Sequence, residues 1–341
     1  MSVVESEVPA DTRTMPVLSA EGISKVYGKA GFLQRTTMLK AVSDVNLSLA
    51  PGRTLGIVGE SGCGKSTLSR ILVGITPPTS GRVRIDGKDV SAGSRREQQE
   101  RLSDIQMVFQ SPAGSLDPRM RIDKIIAEPL DIHRPDLSRQ DKRRLVEEML
   151  QRVGLDVAHL TRYPHELSGG QQQRVGIARA LITSPKVVIC DEAVSALDVS
   201  VQAQIINLLL EIQEQTQVAY IFISHDLSVI AAIADEIAVM YMGKVVEEGA
   251  AQTVLSKPAH PYTSLLLDSA FVPDPLIEKQ RVRAADGEAA HDLERPEQGC
   301  PFLPRCGIAL AKCASVSPAL VPTHHADTRV ACHNYEANVR P

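Results

Sequence analysis

The segment GESGCGKST, residues 59–67, constrains the fold of this chain more than any other feature. It fits the phosphate-binding pattern G-x-x-x-x-G-K-[ST], which needs a strand before it and a helix after it. The run Thr54 to Val58 is apolar and Ser66 to Leu72 has helical periodicity, so the chain offers both. Backbone N–H groups of such a loop surround a β-phosphate, while Lys65 supplies positive charge and Ser66 a ligand to Mg²⁺. The residues expected to contact the phosphates are Gly59, Ser61, Gly62, Cys63, Gly64, Lys65, Ser66 and Thr67.

The order of strand-like and helix-like patterns predicts a mixed α/β fold. From Val17 to Val90, β-rich runs alternate with turn signals, which indicates an antiparallel β layer beside the start of a parallel core. Residues 111–180 are richer in charge and helical periodicity and predict a helical subdomain. Two buried-strand patterns then follow, at 186–192 and 219–226, separated by a helix from Val199 to Gln215. Strands that alternate with helices form right-handed βαβ units and a mostly parallel sheet.

A second chemical signal is the apolar run VVIC, which ends in two carboxylates, Asp191 and Glu192. A buried parallel strand delivers its terminal acids to the same sheet edge as the phosphate loop. Asp191 is then expected to hold the Mg²⁺ shell and Glu192 to polarise the attacking water. Two adjacent acids alone are weak evidence, because acids are also common at helix N-termini.

The third signal is LSGGQ at residues 167–171, followed by QQRVGIARAL. Ser168 and two glycines open a helix, so they form a second anion-binding N-terminus, and no strand precedes it. This site cannot serve the same phosphate in cis if the glycine-rich loop already does.

Together these motifs resemble the ATP-binding cassette (ABC) proteins, whose signature is LSGGQ, and the resemblance covers about residues 17–265. It implies a P-loop nucleotide-binding domain with a RecA-like core, an antiparallel β layer and a helical subdomain. It also implies ATP hydrolysis with Mg²⁺. In the family the signature closes over the γ-phosphate bound to a partner subunit, in a head-to-tail dimer. The resemblance thereby assigns ATP contacts across that dimer to Ser168, Gly169, Gly170 and Gln171.

Further positions match the family one by one. Gln110 corresponds to the Q-loop glutamine that touches Mg²⁺ and water, and Asp198 lies in the D-loop. His225 corresponds to the switch histidine near the γ-phosphate, and Tyr27 to the residue that stacks on adenine. A lone histidine after a strand is usually a surface or core residue, so these assignments depend on the stronger motifs around them. The implied catalytic residues are Glu192, His225 and Gln110, and the implied Mg²⁺ ligands are Ser66, Gln110 and Asp191.

One departure from the family concerns the residue after the two acids. Many relatives have proline there, whereas this chain has Ala193. Proline would stiffen the turn, but its absence removes no reacting group. We therefore expect a competent ATPase.

Four segments are similar to the ATPases of dipeptide/oligopeptide importers, most of all to the second of their two ATPases: residues 111–120, 162–171, 195–209 and 260–267. This implies a peptide-import motor at the cytoplasmic face of the cell membrane, bound to two transmembrane permease subunits. A second ATPase in a heterodimer is favoured over a homodimer, and an extracytoplasmic peptide-binding protein is an indirect partner. Nickel and glutathione importers share much of the pattern. A soluble ABC ATPase outside transport is disfavoured by the single compact cassette.

Composition and charge exclude other classes. No apolar run approaches the about 18 residues that cross a bilayer, and the acidic, proline-containing N-terminus is unlike a secretory signal. A net charge of −4 without a basic stripe argues against nucleic acid as a partner. The predicted organisation is an N-terminal tail at 1–16, a nucleotide-binding domain at 17–265, a polar linker at 266–299 and a cysteine module at 300–341.

The cysteine module contains Cys300, Cys306, Cys313 and Cys332. A segment of about 40 residues needs a metal, disulfides or a partner to stay folded. Four thiols could bind Zn²⁺ or an iron–sulfur cluster, and the spacing fits neither short zinc knuckles nor the common ferredoxin runs. Resemblance to the importer group implies a [4Fe–4S] cluster on these four residues, with zinc and free thiols as alternatives. Since the module lies far along the chain from the phosphate loop, we expect loss of Cys306 to leave nucleotide binding largely intact.

Overall fold

The computed structural model describes residues 15–28, 38–92, 94–270, 298–325 and 327–338. Most of the predicted N-terminal tail and most of the predicted linker lie outside these ranges.

Within the described residues, twelve strands form two sheets. The strands are β1 (Leu18–Tyr27), β2 (Leu39–Leu49), β3 (Thr54–Val58), β4 (Ser80–Ile85), β5 (Lys88–Asp89), β6 (Ile105–Val108), β7 (Val187–Asp191), β8 (Ala219–Ile223), β9 (Glu236–Tyr241), β10 (Lys244–Ala250), β11 (Val321–Pro322) and β12 (Arg329–Val330). An antiparallel sheet has the order β2-β1-β4-β5, and a larger sheet has the order β11-β12-β10-β9-β3-β8-β7-β6. In the larger sheet β9, β3, β8, β7 and β6 run parallel, and β10, β12 and β11 are antiparallel to their neighbours.

The helices fill the connections between the strands. They are α1 (Lys65–Leu72), α2 (Arg95–Ser103), α3 (Pro112–Ser115), α4 (Ile122–His133), α5 (Arg139–Arg152), α6 (Gly169–Leu181), α7 (Val199–Thr216), α8 (Leu227–Ile233), α9 (Ala251–Ser256) and α10 (Pro261–Ala270). Short 3₁₀ turns lie at Val157–Thr161, Pro164–Glu166, Leu303–Arg305, Ala311–Ala314 and Tyr335–Ala337. The predicted α/β class, with an antiparallel layer, a parallel core and a helical region, is confirmed. None of the described helices is long and apolar enough to cross a bilayer.

The large sheet divides the hydrophobic interior into two cores. Successive strand residues point to opposite faces, and β7 shows this directly. Val187 and Ile189 pack toward the antiparallel sheet, whereas Val188 and Cys190 pack toward the helices. Burial on both faces explains why β3, β7 and β8 are mostly apolar, with all their residues buried.

The parallel arrangement places the chemically interesting residues together. β3 runs into the glycine-rich loop, β7 ends at Asp191, and β8 ends two residues before His225. Because these strands are parallel neighbours in the order β3-β8-β7, their carboxyl ends lie at one edge of the sheet. That edge is the candidate active site.

The C-terminal segment continues the same sheet. β12 pairs with β10 through Glu247 opposite Val330 and Glu248 opposite Arg329, and β11 pairs with β12. Phe302 is 2% exposed and belongs to the core on the helical side of the sheet. The boundaries of the four predicted segments remain a prediction.

Candidate active site

The glycine-rich loop is held against two neighbouring strands at distances that exclude side chains. Gly59 has φ 153° and Gly64 has φ 112°. A Cβ on Gly59 would lie 2.2 Å from the carbonyl oxygen of Met240, and one on Gly64 would lie 2.3 Å from that of Ala41. Both glycines are therefore required by the close approach of backbone as well as by φ.

Lys65 lies beneath this loop and is only 5% exposed. Its Nζ donates to the carbonyl oxygens of Gly59 at 2.6 Å and Glu60 at 2.9 Å. The sulfur of Cys63 lies 3.7 Å from the same nitrogen, and burial raises the pKa of the Cys63 thiol. The loop therefore encloses one cation, and its cysteine is a neutral packing group.

A cleft opens in front of the loop. Tyr27 and Glu192 lie on its walls, and the full lining is Tyr27, Leu39, Ala41, Ser61, Gly62, Gly64, Lys65, Ser66, Thr67 and Glu192. The Tyr27 side chain is partly exposed, with the Lys25 ammonium 5.3 Å from its ring centroid. Tyr27 therefore lies exposed on the wall of this cleft, and its stacking on adenine stays a prediction.

Asp191 offers one free carboxylate oxygen near the loop. Its Oδ2 accepts a hydrogen bond from the Ser69 hydroxyl at 2.9 Å. Its Oδ1 is buried without a partner among the described residues. Burial raises the pKa of Asp191, and the bond from Ser69 opposes that rise. A buried, unpartnered carboxylate oxygen fits a hard cation such as Mg²⁺, whose ligands are oxygens.

Ser69 is the residue at this site that the sequence interpretation missed. It lies one helical turn after Lys65 on α1 and is fully buried. A small polar residue at i+4 from the loop lysine, on the same face of the helix, was the available signal.

The three predicted catalytic side chains meet at Glu192. Gln110 Nε2 donates to Glu192 Oε2 at 2.6 Å, and His225 Nδ1 lies 3.4 Å from Glu192 Oε1. Glu192 has φ 49°, in the left-handed region that costs a non-glycine residue about 1–2 kcal/mol. The conformation is held by its N–H, which donates to Ile223 O at 2.9 Å, and by its carbonyl, which accepts from the Ser195 hydroxyl at 2.9 Å.

The signature residues lie elsewhere. Ser168 caps α6: its hydroxyl accepts the Gln171 N–H at 3.3 Å, while the Gln171 side chain accepts the Ser168 N–H at 2.9 Å. Asp198 caps α7 and accepts from the Val201 N–H at 3.0 Å. Ser168, Gly169, Gly170, Gln171 and Asp198 are all absent from the lining of the cleft.

The four cysteines of the C-terminal segment converge on one small cavity. Cys300 and Cys313 are buried, Cys306 and Cys332 are half-buried, and all four thiols are free. Burial raises the pKa of Cys332 to about 11 and also that of Cys300. Yet no group of three or more His, Cys, Asp or Glu among the described residues is arranged to hold a metal ion. The thiols share a cavity but do not form an assembled ligand set.

The C-terminal segment lies far from the glycine-rich loop in the sequence, but it contacts that loop in the structure. Arg305, next to Cys306, forms a salt bridge of 3.0 Å with Glu60 inside the glycine-rich loop. The hydroxyl of Tyr262 accepts the Glu60 N–H at 2.8 Å. Tyr262 belongs to the family-like segment 260–267 and Arg305 lies next to Cys306, but nothing in the sequence indicated that either contacts the loop.

Two family models match the chain. One, described as ABC transporter, matches residues 42–195, and one described as oligopeptide/dipeptide transporter, C-terminal region, matches residues 246–313.

Curated relatives match most of the chain. The oligopeptide transport ATP-binding protein OppF of Salmonella typhimurium is 50% identical over 294 residues, which cover 86% of this chain and 88% of that protein. The dipeptide transport ATP-binding protein DppF of Escherichia coli is 42% identical over 331 residues, covering 97% of this chain and 98% of that protein.

Solved structures match the larger part of the fold. The dimeric structure of MJ0796, a bacterial ABC transporter cassette, has a TM-score of 0.61 and 30% identity, covering 69% of this chain and 98% of that one. CbiO1 from Clostridium perfringens, part of the ABC transporter complex cbiONQ, has a TM-score of 0.62 and 30% identity, covering 71% and 92%.

The environment of Asp191 predicts a proton-dependent cation site. A protonated Asp191 cannot ligate Mg²⁺, and its pKa is already raised by burial. Ser69→Ala removes the bond that opposes this rise, so the pKa of Asp191 should increase further. As the pH is lowered, the Mg²⁺ requirement of the variant should therefore begin to increase at a higher pH than that of the unaltered chain. The Mg²⁺ concentration for half-maximal ATP turnover, measured from about pH 8 to pH 5, should increase several-fold more than in the unaltered chain.

Ser269→Ala is the matched control, because it removes a hydroxyl that donates to the Leu266 carbonyl on α10. Identical Mg²⁺ and pH dependence in Ser69→Ala and Ser269→Ala would contradict a role for Ser69.

Proposed function

The chain belongs to the ABC transporter ATP-binding proteins, in the oligopeptide/dipeptide group, and from this we propose that it is the ATP-hydrolysing motor subunit of a peptide importer. The observation that carries the proposal is the meeting of Glu192, Gln110 and His225 beside the cleft of the glycine-rich loop. Relatives at 42–50% identity that are named for oligopeptide and dipeptide transport support the peptide cargo. Nickel or glutathione remains the alternative cargo.

We assign the residues of the cleft as follows. Lys65 and the N–H groups of the loop bind the phosphates, and Tyr27 stacks on the adenine. Ser66, Asp191 and Gln110 would hold Mg²⁺, which when bound would neutralise charge on the phosphate oxygens. The unpartnered Oδ1 of Asp191 supports this ligand role.

Glu192 accepts the proton of the attacking water in this proposal. Its carboxylate is held by Gln110 at 2.6 Å and approached by His225 at 3.4 Å, so both neighbours fix its direction. The left-handed backbone at Glu192, fixed through Ile223 and Ser195, supports the same role, because strained conformations persist where the surrounding structure over-determines them.

The signature residues act on a second subunit. Ser168, Gly169, Gly170 and Gln171 lie outside the cleft of their own chain, and the N-terminus of α6 is exposed. A helix N-terminus binds anions, so this one is free to close over phosphates bound by a partner, with Asp198 nearby in the dimer. The related cassette MJ0796 is dimeric, which supports a pair of motor subunits.

We propose a heterodimer with a second ATPase, peripheral at the cytoplasmic face of the membrane and bound to two permease subunits. An extracytoplasmic peptide-binding protein delivers the peptide. Co-purification from native membranes tests this assembly directly. Recovery of the chain with no permease subunit would count against an importer and favour a soluble ATPase.

A [4Fe–4S] cluster on Cys300, Cys306, Cys313 and Cys332 remains a proposal. Its support is chemical, since four free thiols line one cavity. The thiols are not arranged as a ligand set, so no step of the reaction is derived through a cluster.

Glu192→Gln tests the proposed base. Because glutamine keeps the shape and the bond from Gln110 but cannot accept a proton, ATP binding should persist while turnover falls about 10²–10⁴-fold. Single-turnover ATP hydrolysis and nucleotide binding by the assembled transporter measure the two separately. Near-normal hydrolysis would remove Glu192 from its role.

Ser168→Arg tests the action of the signature on a partner. The larger cation should block the exposed N-terminus of α6, so transport should stop although Lys65 is intact. ATP-dependent association of the two motor subunits, followed by size-exclusion chromatography, should be lost. Unchanged association would refute the head-to-tail arrangement.

Iron content tests the cluster. Anaerobically purified chain should be brown and contain about four irons by the Cys₄ stoichiometry of such clusters. Cys306→Ser should lose the iron, whereas Cys190→Ala, which alters a buried thiol of the sheet core, should keep it. Stoichiometric zinc without iron, or a folded module without metal, would exclude the cluster.

A further inference from the structure

Among the described residues, Arg305 of the C-terminal segment contacts the glycine-rich loop. The Arg305 guanidinium forms a fork with Glu60: Nη1 lies 3.1 Å from Oε1 and 3.0 Å from Oε2, and Nη2 lies 3.1 Å from Oε1. Forked arginine–carboxylate pairs fix direction as well as charge. Glu60 is the second residue of the glycine-rich loop, so the fork reaches the loop itself.

Arg305 is held in place before it reaches the loop. It ends a 3₁₀ turn, Leu303–Arg305, and its guanidinium lies 5.8 Å from the ring centroid of Phe302. Phe302 is buried against Tyr241 and Tyr262, with ring centroids 5.3 Å and 5.7 Å away. The position of the guanidinium is therefore set by a packed aromatic group.

A second contact reaches the same loop residue from α10. The hydroxyl of Tyr262 accepts the Glu60 N–H at 2.8 Å, and the Tyr262 ring is fully buried. The start of α10 is fixed by Glu247, whose buried carboxylate accepts the N–H groups of Ala259 at 2.7 Å and His260 at 2.9 Å. Tyr262 is therefore a rigid acceptor.

Glu60 links Tyr262 and Arg305 to the loop lysine, Lys65. Its carbonyl oxygen accepts from Lys65 Nζ at 2.9 Å, while its N–H and carboxylate are bound by Tyr262 and Arg305. Glu60 also places a negative charge in a loop that binds anionic phosphates, and an adjacent guanidinium offsets that charge.

We propose that Arg305 and Tyr262 are positioning residues of the nucleotide site, which act through Glu60 to set the affinity of the loop for MgATP. The inference rests on the proposed function. It assigns to the C-terminal segment a task at the nucleotide loop of its own chain, apart from any contact with permeases and from any metal.

The test measures MgATP affinity of the full chain by titration calorimetry, since the sequence has no tryptophan to report binding. Arg305→Ala should weaken binding about fivefold, the upper range for a half-exposed ion pair. Adding Glu60→Gln to Arg305→Ala should restore affinity to within about twofold, because it removes the charge left uncompensated. If Arg305 only stabilised its own segment, adding Glu60→Gln in the loop would not restore MgATP affinity.

The control is a second ion pair of the same segment, which joins β12 to β10 and does not reach the loop. Arg329 Nη1 lies 2.8 Å from Glu248 Oε1, and neither residue lines the nucleotide cleft. Arg329→Ala should leave MgATP affinity unchanged. Equal losses in Arg305→Ala and Arg329→Ala would mean that general docking of the segment matters, and would overturn the inference.

Tyr262→Phe provides a second route if Arg305→Ala unfolds. It removes only the hydroxyl that Glu60 contacts, and it should weaken MgATP binding several-fold in a folded chain. Unchanged affinity in Arg305→Ala and Tyr262→Phe, together with lost binding in Lys65→Ala, would overturn the positioning role alone. Unchanged affinity in Lys65→Ala would overturn the proposed nucleotide site.

Discussion

The close approach of the glycine-rich loop to the backbone of its neighbours is the constraint on which the rest of the site depends. Gly59 and Gly64 lie so near the carbonyl groups of Met240 and Ala41 that no side chain fits. This approach presses the loop onto the strand ends, so Lys65 is buried beneath it. Glu192, which follows β7, can then face the cleft, while Asp191 lies buried against Ser69 of α1.

Asp191 and Glu192, the two acids at the end of β7, differ in burial and in backbone conformation. Asp191 is buried and has one unpartnered oxygen, which suits a cation ligand, whereas its raised pKa makes that role depend on pH. Glu192 is more exposed and lies in a left-handed conformation that turns its side chain toward Gln110 and His225. Adjacent residues on a strand point to opposite faces, so the turn at Glu192 is what brings the second acid to the cleft. Ala193 in place of proline is compatible with this turn.

Much of the fold and of the site could be predicted from the sequence, because the decisive signals were local. The loop pattern, the acids after an apolar run and the helical caps each lie within about ten residues, where periodicity and capping chemistry apply. The contacts of Glu60 with Arg305 and Tyr262 span 245 and 202 residues, and no local rule encodes them. Ser69 was missed because a serine on an apolar helix face has no distinctive pattern until its partner is known. The pairing of β12 with β10 was missed because two-residue strands carry no periodicity.

That last pairing has a consequence for how the outer edge of the large sheet is protected. An edge strand exposes a row of unpaired N–H and C=O groups, which is a template for aggregation. β12 and β11 cover the outer side of β10, and they are only two residues long each, so the edge they leave is short. A chain shortened before β11 would present β10, seven residues long, as a bare edge. The C-terminal segment thus protects the sheet from non-native pairing.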